Sequence, residues 1–269
     1  MANPHIKQDL LALSKKLVES GPVKTLPTPR RVRILFDGEY IADTTSALYV
    51  WEHQYYPYFY VPRSSIKASL RLLHPQSPSP FWTARISGAT RATDRVLVFG
   101  EDFGQHAKIL ENMVRVEFGA ADAWFEEDVP IYVHPKDPFR RVDVLHSLRP
   151  LEIRVAGQLV AKTGSSYHLH ETGLPCRYYV PATSVDRSLL RESETTTACP
   201  YKGTANYYTV ELTERGLEKS RFEDLVWYYK TPTLECANIA GCLCFYHEKD
   251  GVEITLDGEV LEKPKTPWS

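Results

Sequence analysis

Apolar and polar positions along this chain mostly fall into short alternating runs. One stretch differs: Ile6, Leu10, Leu13, Leu17 and Val18 recur three, four or one residue apart, which predicts an amphipathic helix over residues 5–20, stopped by Gly21-Pro22. Beyond it the pattern is that of strands. VRILF (32–36) runs into Asp37-Gly38, a strong hairpin signal, and Tyr40-Ile41-Ala42 follows. Residues 48–51, the aromatic run 55–61, 82–86, 95–99, 114–118 and the alternation of Ile131 with Val133 read as further strands. Ser64 is placed to cap a short helix reaching residue 73, residues 106–113 suit a helical turn, and HPQSPSP (74–80) reads as a loop. The stretch 134–149, HPKDPFRRVDVLHSLR, is rich in proline and charge and reads as a connector.

After that connector the pattern starts again. When Gly38 is laid on Gly157, the same offset, without a gap, brings Ile34 onto Ile153, Ala42 onto Ala161, Thr44 onto Thr163, Ser46 onto Ser165, Glu52 onto Glu171 and Ser65 onto Ser184. Tyr60-Val61-Pro62 falls on Tyr179-Val180-Pro181. The chain therefore reads as mainly β, with two tandem antiparallel β domains, a short N-terminal helix and few other short helices. The predicted layout is a helix and lead-in over 1–30, a first β repeat over 31–133, the connector 134–150, a second repeat over 151–260 and a tail over 261–269.

Composition narrows the function classes. Of 269 residues, 43% are hydrophobic and 25% charged, the range of a soluble globular protein, and the net charge is −2. No basic field argues for nucleic acid or an anionic membrane, no apolar run is long enough to span a bilayer, and the first twenty residues lack the apolar centre of a signal peptide. The expected location is cytoplasmic. The five cysteines, Cys176, Cys199, Cys236, Cys242 and Cys244, are odd in number and confined to the second half, which predicts reduced thiols rather than a disulfide framework.

The densest chemistry lies between residues 166 and 208. If residues 167–171 form a strand, Tyr167, Leu169 and Glu171 share one face, so Glu171 follows two apolar neighbours inward, while His168 and His170 share the other. A carboxylate in that position needs a partner or stays protonated. Arg177 and Tyr179 share a face of the next strand, which suggests a Glu171–Arg177 ion pair across the turn. In TTTACPYKG, Gly203 permits a close backbone approach, and Lys202 beside it points at Glu171 or at a ligand. The set His168, His170 and Cys199 and the pair Cys242-x-Cys244 lack the paired spacing of a structural zinc site. The histidines read as exposed strand residues, and neither metal nor cofactor is expected. Cys199 would need an adjacent base to act as a nucleophile.

ETGLPCRYYVP, TTTACPYKGTANYY, VWYYKTP, the IAGCLCFY run and the closing VEITLDGE resemble, in order, the domain of unknown function 427 family. The first half resembles it more loosely, and the connector looks like that of two-copy members. The resemblance implies a compact antiparallel domain of the β-tent type, with its signature residues around a pocket. Those residues fall here on Glu171, Gly173, Pro175, Arg177, Tyr179, Pro181, Thr197, Cys199, Pro200, Tyr201, Lys202, Gly203 and Trp227. The first copy keeps Glu52, Tyr60 and Pro62, but Tyr58 stands for Arg177, and SPFWT (79–83) replaces CPYKG, with Trp82 at the lysine place.

On these residues the expected function is cofactor-independent acid–base chemistry on a small organic molecule, an isomerisation, cyclisation or related proton transfer, in specialised metabolism. Glu171, Lys202 and Arg177 would be catalytic. Tyr179, His170, Thr197, Cys199, Tyr201, Tyr208 and Trp227 would line the substrate site. The alternative is a non-catalytic module that binds a small molecule or a peptide.

Overall fold

The computed structural model describes residues 9–73, 80–212 and 220–265. Ile6 of the predicted helix, positions 74–79 of the predicted loop and the last four residues of the tail lie outside the described residues. The chain divides into two units, Ala2–Asp137 and Pro138–Ser269.

The first unit opens with α1 (Leu10–Ser20). Its strands are β1 (Lys24–Pro27), β2 (Val32–Phe36), β3 (Glu39–Thr44), β4 (Leu48–Trp51), β5 (Tyr58–Pro62), β6 (Leu70–Leu72), β7 (Phe81–Ser87), β8 (Ala92–Phe99), β9 (Met113–Val116), β10 (Ala123–Glu126) and β11 (Val129–Ile131). They form a seven-stranded sheet in the order β1-β4-β5-β9-β8-β7-β6 and a four-stranded sheet in the order β11-β10-β2-β3. The second unit contains β12 (Val142–Ser147), β13 (Leu151–Val155), β14 (Gln158–Thr163), β15 (Ser166–Glu171), β16 (Arg177–Val180), β17 (Leu190–Cys199), β18 (Gly203–Leu212), β19 (Ser220–Tyr229), β20 (Leu243–Phe245), β21 (Val252–Leu256) and β22 (Glu259–Val260). Its sheets run β12-β15-β16-β20-β19-β18-β17 and β14-β13-β21-β22, the same topology strand for strand.

The sequence repeat is therefore a structural repeat, down to its turns. Asp37 and Gly38 (φ 53° and 81°) and Ala156 and Gly157 (φ 47° and 81°) all sit in the left-handed region that a two-residue hairpin of this hand requires. The bridges Ala42–Ile66 and Ala161–Val185 recur at the same offset.

Each seven-stranded sheet buries both faces, because successive side chains point to opposite sides. The inner face packs on the four-stranded sheet. In the second unit Val180, Val226, Tyr228, Leu243 and Phe245 meet Ile153 and Ile254 there. The outer face carries the alternate residues Leu169, Tyr179, Tyr207, Trp227, Tyr229 and Cys244. In the first unit the outer face is covered by α1, whose Leu10, Leu13 and Leu17 pack on Leu48, Val50, Tyr60, Leu97 and Phe99. Asp9 caps this helix by accepting from the Leu11 and Ala12 amides at 3.0 and 3.1 Å. Gly21 ends it at φ 73°, and a Cβ there would lie 2.6 Å from the His106 carbonyl oxygen, so that position requires glycine.

Two local expectations give way to the structure. The stretch read as a connector contains β12, which pairs with β15 from Val142–Glu171 to Ser147–Ser166 and turns Val142 and Val144 onto the outer cluster. Its alternation is too short to stand out among charges and prolines. The helix expected from Ser64 to residue 73 is one 3-10 turn, Arg63–Ser65, followed by β6. The helical turn expected within 106–113 is present as a single 3-10 turn, Lys108–Leu110. Among the described residues no helix is long and apolar enough to cross a membrane.

Candidate functional site

β15 places Glu171 as the alternation requires. Leu169 is buried in the outer cluster, and Glu171, two residues on, lies at the rim of the same face with 8% of its side chain exposed. Its partner is Lys202, with Nζ 2.5 Å from Oε2 and 12% of the lysine side chain exposed. Lys202 belongs to the three-residue tip of the β17–β18 hairpin, where Cys199 pairs with Gly203 and the glycine takes φ 99°. The close approach that Gly203 permits is to the chain itself: a Cβ there would meet the Thr231 carbonyl oxygen at 3.1 Å. The tip is held by the Thr233 amide on the Lys202 carbonyl (3.1 Å), the Thr233 hydroxyl on the Tyr201 carbonyl (2.5 Å) and the Cys236 thiol on that same carbonyl (3.5 Å).

β15 and β18 are four places apart in the sheet, about 19 Å in a flat one. Two side chains cannot bridge that distance, so the ion pair requires a curled sheet that brings the end of β15 and the hairpin tip together. Burial works against the Lys202 ammonium, but Cys199, Glu171 and Cys236 outweigh it and hold the lysine pKa above its ordinary value.

Arg177 does not pair with Glu171. The β15–β16 register ends at Leu169–Arg177, leaving Glu171 beyond the paired region. Arg177 instead grips Glu248, just past β20, through two hydrogen bonds of 2.6 and 2.7 Å, and its guanidinium lies 5.4 Å from the Trp227 ring centre. Burial alone would raise the Glu248 pKa, but Arg177 keeps it below the usual carboxylate value. Sequence reasoning did not find Glu248, and its separation of 71 residues from Arg177 leaves no local signal.

Around these pairs stand the aromatic residues. Tyr179 is fully buried, its hydroxyl accepts from the Trp227 indole N–H at 3.0 Å, and burial pushes its pKa well above the tyrosine value. The Thr197 and Tyr207 hydroxyls share a hydrogen bond of 2.7 Å. Cys199 interacts electrostatically with Lys202 and Tyr229. Glu171, Lys202, Arg177, Tyr179, Thr197, Cys199 and Trp227 thus gather on the outer side of the second unit, and the Tyr201 backbone joins them.

Two proposed lining residues lie elsewhere. Tyr208 is on the inner face, stacked on Tyr228 at 4.8 Å, and its neighbour Tyr207 holds the outer position. His170 is exposed on the opposite side of the strand from Glu171, with its Nε2 3.9 Å from the Cys176 thiol. His168, expected at the surface, is buried under Tyr178 and bonded to the Ser166 hydroxyl at 3.2 Å. All five cysteines are free thiols, and among the described residues no group of three or more His, Cys, Asp or Glu is arranged to hold a metal.

The first unit has its own version of the ion pair. Glu52 meets Arg115 of β9 at 2.5 and 3.3 Å and accepts from the Tyr60 hydroxyl at 3.1 Å. Both charged side chains are only 1% exposed. The charge cluster is therefore not confined to the second copy, as the absence of an arginine at Tyr58 suggested. The arginine comes from the neighbouring strand and stacks over Tyr58 at 4.9 Å. Trp82 does not occupy the lysine place. It pairs with Val98 as Asn206 pairs with Tyr228, so its counterpart is Asn206, inside the strand.

Burial lowers the pKa of His53, His168 and His247, so the fold prefers their neutral forms. As pH falls through about 6.5, the unfolded chain takes up protons that the folded chain refuses, and stability falls. The melting temperature is expected to decline between pH 7 and 5 in a calorimetric series, and His168→Gln should flatten part of that slope. A melting temperature that stays level or rises across the window would contradict this.

The family model described as Domain of unknown function (DUF427) matches residues 24–126 and again residues 143–259, more than half of the chain and once in each unit. A comparison with curated proteins gives no match.

Proposed function

We propose, on the premise that the chain belongs to the DUF427 family as two tandem copies, that the second copy binds a small organic molecule at the outer face, where Glu171 and Lys202 form the polar rim of an aromatic surface. The observation behind this reading is the difference between the two copies. The equivalent glutamate in the first copy is sealed in with Arg115 at 1% exposure, whereas Glu171 and Lys202 keep 8% and 12%. A buried pair out of solvent reach serves the fold, while a pair at a rim can exchange its partner for a ligand charge. Lys202, held protonated, suits a carboxylate or another anionic group. Trp227, 7% exposed, is the aromatic neighbour for the remainder of a ligand, and the buried Tyr179 supports it through their hydrogen bond.

A second reading, cofactor-independent acid–base catalysis, rests on the carboxylate of the same pair. A ligand anion that takes Lys202 would leave Glu171 free to accept a proton from the bound molecule. Binding comes first in both readings, so binding is what to test. In a thermal-shift and native mass spectrometry screen against metabolites, carboxylate-bearing aromatic compounds are expected to give the strongest shifts. Lys202→Met and Glu171→Gln should weaken those hits at least about tenfold, the loss expected when one charge-assisted hydrogen bond goes. Glu52→Gln should change stability and leave affinity alone. Full retention of binding by Lys202→Met, or equal loss in Glu52→Gln, would overturn the proposal.

A further inference from the structure

The outer faces of the two copies correspond position by position. The strand registers put Leu48 with Tyr167, Val50 with Leu169, Tyr60 with Tyr179 and Leu97 with Trp227. In the first copy α1 lies on this face, and its Lys16 Nζ donates to the Glu52 carbonyl at 3.0 Å. Among the described residues the second copy has no α-helix; a 3-10 segment, Leu234–Ile239, sets Cys236 and Ile239 into its outer cluster. At the same end of its face stands the tip of the β17–β18 hairpin, which sends Lys202 to Glu171, the counterpart of Glu52. In each copy, then, a lysine reaches the same glutamate position, and in the second copy the tip closes over Cys236, which is itself set in the outer cluster.

The two covers differ in how they are held. α1 is seated by three buried leucines, a capped N-terminus and a C-terminus fitted against His106. The hairpin tip is held by the ion pair and the three hydrogen bonds from Thr233 and Cys236. The first arrangement rests on three buried leucines, and the second on one buried side chain, Tyr201, together with polar contacts that water or a ligand can replace.

We infer that residues 199–203 are a gate over the aromatic face of the second copy, latched by the Glu171–Lys202 ion pair and opened when a ligand anion draws Lys202 away, whereas α1 closes the first copy permanently. This rests on the binding reading above, but opening can be measured with no ligand present. Cys236 is fully buried and its thiol is bonded to the Tyr201 carbonyl of the tip, so it becomes accessible when the tip lifts. Cys244, 1% exposed on β20, lies in the same cluster and serves as an internal control, because the strands that bury it do not move with the tip.

The test is alkylation of the folded protein by iodoacetamide, followed cysteine by cysteine with peptide mass spectrometry. Glu171→Gln and Lys202→Met are expected to speed modification of Cys236 by about tenfold, the factor for one lost charge-assisted hydrogen bond, and to leave Cys244 unchanged. Lys202→Arg, which preserves the pair, should keep Cys236 slow. Unchanged Cys236 rates in both latch variants, or equal acceleration of Cys236 and Cys244, would overturn the gate. Hydrogen exchange on the unaltered protein gives a reading independent of any variant. The Thr233 amide, held by the Lys202 carbonyl, should exchange well before the amides of the β18–β19 ladder, and a common rate for both would mean that the tip does not open separately. A gate that opens without any metabolite hit would leave the gate standing and the binding reading refuted.

Discussion

Arg115→Ala is expected to destabilise the first copy by about 3–5 kcal/mol, among the largest effects of any single substitution in this chain. Glu52 and Arg115 are each 1% exposed, so the carboxylate has no water to turn to when its charged partner is removed. The Tyr60 hydroxyl remains, but a neutral donor does not offset a desolvated negative charge. Denaturant unfolding followed by tryptophan fluorescence measures the effect, and a loss under about 1 kcal/mol would show that the pair is not buried as described. The double replacement Glu52→Leu with Arg115→Met should recover most of the stability, since apolar residues of similar volume satisfy such a site without any charge.

Leu17→Ala should cost about 2–5 kcal/mol, the range for a leucine removed from a packed core. Leu17 is fully buried, and with Leu10 and Leu13 it fills the outer face of the first unit. Leu11, on the same helix but 57% exposed, is the matched control, and its change to alanine should stay within about 0.5 kcal/mol. Similar small effects at both positions would mean that α1 is an ornament on the first unit rather than part of its core.

The sequence made some of this plain and hid the rest for physical reasons. Period-two alternation and the two left-handed turns at Gly38 and Gly157 are local properties, so the strands and the repeat could be read directly. The inward aim of Glu171 followed from Tyr167 and Leu169 in the same way. Its partner did not, because ion pairing depends on which strands become neighbours and how far the sheet curls. Glu52 and Arg115 are 63 residues apart, and Arg177 and Glu248 are 71 apart. Tyr207-Tyr208 shows another limit: alternation sends one tyrosine to each face but does not say which, and the ladder beside them shifts register. Laying SPFWT on CPYKG puts Trp82 at the place of Lys202, one residue off the Gly38–Gly157 offset. The second copy, however, has a hairpin with two ten-residue arms where the first has a three-residue strand and a seven-residue strand, so the count slips.

The exchange of residue types between neighbouring strands limits how the two halves could be recombined. On β5 and β9 the first copy places Tyr58 and Arg115, and at the matching places on β16 and β20 the second has Arg177 and Cys244. A chimera that joined the β16 sequence to the β9 sequence would bring two guanidiniums to one site. The reciprocal joining of β5 to β20 in the first unit would leave Glu52 beside a tyrosine and a thiol, without the Arg115 guanidinium. Equal topology therefore does not make these strands interchangeable. They can be transplanted only as a block that keeps each arginine with its own carboxylate, and duplicates that diverged by such a swap are barred from exchanging these segments one at a time.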